Sequence, residues 1–227
     1  SLDAYTDATR FPPRLETPFD ASSTARLAGS LSPFMLDSAN VEGRDWQIEI
    51  RPTWARQFDA SLTLSREFLA MLAPDRLTLG QLRWNGEIDL RAGMTADGIV
   101  ELSGLEAPGL MIEAVGGGVT VARRDGATTL NAELTATSID VPDAASVPPI
   151  PWAGLTLEAG YAGGIIDIPV LALSSDLGDL TAELAIATAD WTVSGEAGIS
   201  IADIARFTDR AAGPVSARFD IYSLSPD

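Results

Sequence analysis

From Thr24 almost to its end, the chain alternates apolar and polar residues with a period of two, in short stretches separated by turn-forming residues. Successive side chains of an extended strand point to opposite faces, so this period commits the backbone to half-buried β-strands and leaves little room for helix. The clearest stretches are Phe58 to Leu64, Thr129 to Ala136 and Asp179 to Ile186, each with one row of apolar side chains on a single face. Weaker ones span 24–31, 46–51, 86–91, 98–105, 109–114, 118–123, 154–161, 164–173, 190–200 and 215–223, giving about a dozen strands.

Turn chemistry sets how these strands connect. Asp125-Gly126 is an Asp-Gly hairpin signal between two strands, and Gly163-Gly164 and Asp97-Gly98 are read as further turns. Strands joined by turns rather than by helices of 10 to 15 residues argue against βαβ units. The fold expected is therefore all-β: a large antiparallel meander, as an open curved sheet, a half-barrel or a sandwich, with one or two short helices. Ser65 to Leu72 reads as two helical turns opened by a serine cap and stopped by Pro74, and Ser200 to Phe207 as a second helix before Gly213-Pro214.

Residues 1–23 carry Pro12, Pro13 and Pro18 with little periodicity and are expected to form an extended N-terminal arm. Residues 24–227 are expected to form one β-rich domain. Pro142, Pro148, Pro149 and Pro151 make 141–152 the stretch most hostile to strand, where the chain crosses over, either between subdomains or within one continuous sheet. Gly116-Gly117-Gly118 is expected to bend or bulge a strand. Trp46, Trp54, Trp84, Trp152 and Trp191 are spread singly, as core aromatics of strands are; the alternative is a line along a lipid groove or a bilayer interface. A chain of 227 residues can bury roughly 70% of its unfolded surface in one core.

Composition removes most chemistry. The chain has no cysteine and no histidine, so it offers no disulfide, no thiolate or imidazole metal site and no imidazole for proton transfer. All 15 basic residues are arginine, which excludes a Ser/Lys dyad, a Schiff base and a P-loop lysine. No Asp-x-Asp-x-Asp-Gly calcium loop and no Gly-x-Ser-x-Gly elbow occurs. Acid pairs such as Glu87 with Asp89 on one strand face, or Asp176 with Asp179 around a turn, make a glycosidase conceivable, but that reaction needs two carboxyls facing across a cleft with one of them desolvated. The sequence thus names no catalytic, cofactor-binding or metal-ligating residue, and the chain is read as non-enzymatic.

The net charge of −17 argues against nucleic acid as a partner, because phosphate binding needs a basic footprint. The charge is uneven: between 125 and 205 lie Asp125, Glu133, Asp140, Asp143, Glu158, Asp167, Asp176, Asp179, Glu183, Asp190, Glu196 and Asp203, and no base. A solvated sheet face accounts for this segment more simply than a docking face for a basic partner or divalent cations. Glu113 and Asp167 interrupt the two longest apolar runs, which fall short of the roughly 18 to 20 residues that span a bilayer. The chain opens Ser1-Leu2-Asp3 without methionine, and we expect a signal peptide or membrane anchor to have preceded it.

Several stretches share a pattern: Ile150-Pro151-Trp152-Ala153-Gly154-Leu155-Thr156-Leu157-Glu158-Ala159, then Gly163-Gly164-Ile165-Ile166-Asp167-Ile168-Pro169-Val170-Leu171-Ala172-Leu173-Ser174-Ser175, then Leu177-Gly178-Asp179-Leu180-Thr181-Ala182-Glu183-Leu184. Trp84 to Leu90 and Gly98 to Leu105 carry related glycine-bounded strands. Over roughly 76–223 the chain resembles the periplasmic part of type II secretion system protein N, itself similar to the wider AsmA-like group. The resemblance implies a periplasmic protein anchored to the inner membrane, accessory to protein export, with other secretion-system or envelope proteins as partners and no catalytic residue to inherit. The AsmA-like relation implies the rival: an open curved sheet whose apolar concave face binds or transfers lipid.

Overall fold

The computed structural model describes residues 2–7, 22–31, 34–54, 56–72, 77–142, 149–208 and 210–224. Fourteen strands form one sheet: β1 (Leu2–Asp7), β2 (Ser22–Leu31), β3 (Phe34–Glu42), β4 (Trp46–Trp54), β5 (Gln57–Leu64), β6 (Thr78–Asp89), β7 (Met94–Ala107), β8 (Leu110–Arg124), β9 (Ala127–Asp140), β10 (Ile150–Ala162), β11 (Ile165–Ser175), β12 (Gly178–Ala187), β13 (Thr192–Ile201) and β14 (Val215–Leu224). Their order in the sheet is their order in the chain, and every pairing is antiparallel. This is the meander that turns between neighbouring strands dictate. Among the described residues one short α-helix, α1 (Arg66–Leu72), lies between β5 and β6.

Of the three architectures that alternation allows, the structure is the open sheet. β1 and β14 end the strand order and do not pair with each other. The substantial contacts between elements run between consecutive strands, plus α1 against β6, so among the described residues no second layer packs on either face. The surface area says the same. The accessible surface is 15064 Å², whereas a compact monomer of this mass exposes about 9,900 Å². The fold therefore hides roughly 56% of the unfolded surface, well short of the 70% expected from length alone. A single layer leaves one whole face that a sandwich would have buried.

Alternation within the strands decides which face that is. In β9 the side chains of Leu130, Ala132, Leu134 and Ala136 are buried or half-buried while Asn131, Glu133, Thr135 and Thr137 are exposed. The alternation then skips one step: Ser138, held at φ 53, is exposed and Ile139 is buried. The same skip crosses the sheet through Gly104 of β7, at φ 75, where a side chain rarely tolerates the backbone. The register passes over Gly80 with Gly104, Gly104 with Glu113 and Glu113 with Ser138. Beyond this line Leu105, Ile112 and Ile139 return to the sheltered face, which lengthens the apolar surface by one more row.

Several expectations change. Leu2–Asp7 pairs with β2, so part of the expected arm is strand; Pro12, Pro13 and Pro18 fall outside the described residues. β3 was not foreseen. The stretches 109–114 and 118–123 are one strand, β8, and Gly116 to Gly118 pair along it without a register shift, because β7 and β9 hold both sides of the backbone. Asp97-Gly98 lies within β7 and makes no turn. Asp125-Gly126 does, with φ 51 and 82 as a type I′ hairpin requires. Ser65 caps α1 by accepting from the Phe68 amide at 3.3 Å, whereas the helix expected over 200–207 reduces to a 3₁₀ turn at Ile204–Arg206, because β13 runs on to Ile201. Ile139 pairs with Ile150, so the proline-rich stretch joins two neighbouring strands.

Candidate functional site: an open apolar trough

Tracing registers from strand to strand gives the composition of each face, since directly paired residues share one. One row runs Val41, Ile48, Leu62, Trp84, Val100, Gly117, Leu134, Leu155, Leu173, Leu180, Ile199 and Ala217. The next runs Ala39, Ile50, Ala60, Gly86, Gly98, Val119, Ala132, Leu157, Leu171, Ala182, Ala197 and Phe219. No polar side chain interrupts either row from β3 to β14. At about 4.8 Å per strand these rows stretch about 50 Å. Their side chains are largely half-buried although no second layer of described residues packs on them, so they crowd one another across one face of the twisted sheet.

The floor of this trough is built around Trp84. Gly86 and Gly98 pair with each other beside it, and a Cβ on either would stand 2.7 Å and 2.8 Å from the indole. The two glycines form a shelf on which the ring lies. At one end the trough is roofed. Phe68 and Leu69 of α1 are the most deeply buried of the described side chains, and Trp46, Ile139 and Leu177 are buried at the same end. Here Leu177 and Phe207 meet Ile150, Ala153, Leu173, Leu180, Ile199 and Ile201 around a hollow of about 380 Å³. That volume lies within the range of about 300–1,000 Å³ typical of small-molecule sites.

The opposite face is wet. Asp59 stands opposite Glu87 and Glu87 opposite Asp97, and farther along Glu183 faces Glu196, which faces Asp220. Like charges directly opposed repel, which a sheet tolerates where water screens them. The acid-rich 125–205 segment is thereby placed: Glu133, Glu158, Asp179, Glu183 and Glu196 project from this face, and Asp125, Asp176 and Asp190 sit in turns.

Glu87 and Asp89 do share a face, and both accept from the Gln57 side-chain amide, at 3.0 Å and 3.5 Å. Arg91 closes on Asp89 at 2.6 Å and its hydrogen bonds, with that of the Arg91 amide, pull the carboxyl down to about 2. Glu67, Asp190 and Asp203 are also shifted downward, each by hydrogen bonds that favour the charged form. A general acid needs a shift in the other direction. Asp176 pairs with Arg206 at 3.0 Å rather than facing Asp179 across a cleft. Among the described residues no cluster of three acids could hold a metal ion, and no helix is long and apolar enough to cross a membrane.

What residue patterns did not disclose is the sorting of tryptophans. Trp46 is buried and Trp84 half-buried, but Trp54, Trp152 and Trp191 are exposed, so core packing accounts for two of the five. The signal was absent from local sequence because it depends on the register of strands more than a hundred residues apart. The fold and trough define a class, the open amphipathic single-layer sheet. No protein-family model, curated protein or solved structure matches this chain.

Proposed function

We propose that the chain is a non-catalytic lipid-binding or lipid-transfer protein of the cell envelope that shelters acyl chains along its apolar trough. One observation carries this reading: two apolar rows run uninterrupted from β3 to β14 with no second layer over them among the described residues. An exposed apolar patch of this extent marks a binding surface, since soluble monomers rarely leave more than a few hundred Å² uncovered. Acyl chains suit it because it is long, smooth and free of the polar groups that would fix a small polar ligand. Periplasmic placement at the inner membrane belongs to the same proposal, and fractionation of cells expressing the full-length protein tests it.

The test is native mass spectrometry of the purified chain, followed by titration with a fluorescent fatty acid. Co-purified lipid and saturable probe binding are expected. Leu155→Asp, which puts a charge on the trough floor, is expected to weaken the probe at least tenfold. Absence of both lipid and probe binding overturns the reading.

A second reading, an interaction component of the type II secretion machinery, is favoured by β14. This strand ends the sheet and is exposed on both faces over Val215 to Asp220. Its outer edge offers free amides and carbonyls for strand addition by a partner. Cross-linking from position 218 in envelope preparations is the check; a lack of any cross-linked envelope protein, with export intact after deletion, removes it.

A further inference from the structure

We infer that the end of the sheet made by its tight turns docks on the surface of an anionic lipid bilayer. The inference deepens the lipid-handling reading, which supplies its purpose, but it stands on separate residues. In a meander, alternate turns lie at the same end. The turns β4–β5, β6–β7, β8–β9, β10–β11 and β12–β13 share the end opposite α1.

These turns are level. Trp54, Leu90, Met94 and Tyr161 each lie six residues along the chain from the shared row, at Ile48, Trp84, Val100 and Leu155 respectively. Trp191 occupies the β12–β13 turn, just beyond. Six of the fourteen exposed large apolar side chains among the described residues stand at these turns: Trp54 is 72% exposed, Trp191 57% and Tyr161 45%, with Leu90, Met94 and Ile165 beside them. Single exposed apolar residues are ordinary, but a level series of them at one end, with none of the buried residues there, is not.

Their chemistry is that of a bilayer interface. Trp and Tyr join an apolar ring to a polar group and settle at the headgroup level. Arg56, Arg91, Arg123 and Arg124 stand in the same turns, against Asp89, Asp125 and Asp190. Asp89 is already paired with Arg91. In a chain of charge −17 these turns carry a small positive excess, so this is the end an anionic surface would meet. The series spans nine strand spacings from β4 to β13, about 43 Å. A broad line of single side chains fits a fluid surface better than a shaped protein partner, whose anchors cluster in a packed centre. The trough also opens here, where Met94, Arg123 and Tyr161 share its last row.

The experiment is flotation of the purified chain with vesicles of equal phosphatidylglycerol and phosphatidylcholine, or of phosphatidylcholine alone, at about 0.15 M salt, where charges more than about 8 Å away are screened. Flotation with the anionic vesicles and a blue shift of tryptophan emission are expected. Arg123→Gln with Arg124→Gln should weaken binding about 30-fold, roughly fivefold for each arginine. Trp54→Ser with Trp191→Ser should abolish the blue shift and most of the flotation. Met111→Ser, an exposed site at the other end, should change neither. Failure of the chain to float, or equal flotation of the turn variants and the unaltered chain, overturns the inference. The two readings fail separately: an unaltered chain that floats but binds no fatty acid keeps the docking end and loses the trough, and Leu155→Asp should weaken fatty-acid binding while leaving flotation unchanged.

Discussion

The two ends of the sheet are built from the same meander and end in opposite states. At the α1 end the strands finish at uneven depths, the β5–β6, β9–β10 and β13–β14 connections are long, and Trp46, Phe68, Leu69, Ile139 and Leu177 are buried. At the turn end the strands finish level in short hairpins, and none of the described large apolar side chains there is buried. The difference teaches where a single-layer sheet gets its core. With no second layer, the large side chains are buried where a connection folds back over the strand ends, as α1 does between β5 and β6, while in mid-sheet only small ones such as Ala60, Ala132 and Ala182 are buried. Stability is therefore expected to reside at the roofed end and contact with a partner at the open one.

Removing the roof gives the largest expected effect. Phe68→Ala deletes a side chain that is 5% exposed and should cost about 3 kcal/mol, as large-to-alanine changes in cores do. Urea unfolding followed by tryptophan fluorescence measures it. A loss below about 1 kcal/mol would show that the roof is not the core. The middle of the floor comes next. A Cβ at Gly98 would meet the Asn85 carbonyl oxygen at 2.4 Å and the Trp84 indole at 2.8 Å. Gly98→Ala must shift the β6–β7 pairing and should cost about 2 kcal/mol, with a change in Trp84 emission that a remote destabilisation would not give.

At the open end the comparison predicts nearly nothing for stability. Trp54→Ser removes a ring that is 72% exposed, so unfolding should move by less than about 0.5 kcal/mol. An unfolding midpoint shifted as far as that of Phe68→Ala would erase the distinction between the ends.

The same contrast marks how far the residues alone could be read. Period-two alternation at Thr129 to Ala136 and Asp179 to Ile186 is a local consequence of burying one face, and both stretches lie within the strands as expected. The Asp125-Gly126 turn and the Ser65 cap are likewise local chemistry. Alternation says which face is apolar but not what covers it, so sandwich, half-barrel and open sheet stayed equivalent until contacts were known. Asp97-Gly98 misled because the demand for glycine comes from across the sheet, from the Asn85 carbonyl and the Trp84 ring, and not from a turn. β3 escaped because Asp37, Ser38 and Asn40 have little strand preference, and pairing with β2 and β4 overrides it. The level series from Trp54 to Trp191 exists only through the register of ten strands.

Acid provides the finest comparison, because each end is pinned by a carboxylate held below its ordinary range. At the open end Asp89, pulled down to about 2, ties Arg91 of the β6–β7 turn to Gln57 of the neighbouring strand β5. At the roofed end Asp203 accepts from the Ala205 and Gly213 amides at 3.0 Å and 2.9 Å, tying down the connection that carries Phe207. A folded-state pKa below the unfolded one favours folding once the pH exceeds the unfolded value, ordinarily near 3.9 for aspartate. That contribution fades as the pH falls through the folded value, for Asp89 at about 2. Asp89→Asn should therefore lower the melting temperature slightly at pH 6, and the gap from the unaltered chain should close as the pH is brought from about 4 toward 2. Asp203→Asn should change with pH in the same direction. It should also weaken fatty-acid binding, because Phe207 lines the hollow at that end, whereas Asp89→Asn should leave that binding alone. Equal effects of the two on the probe would mean that the hollow takes no part in binding it.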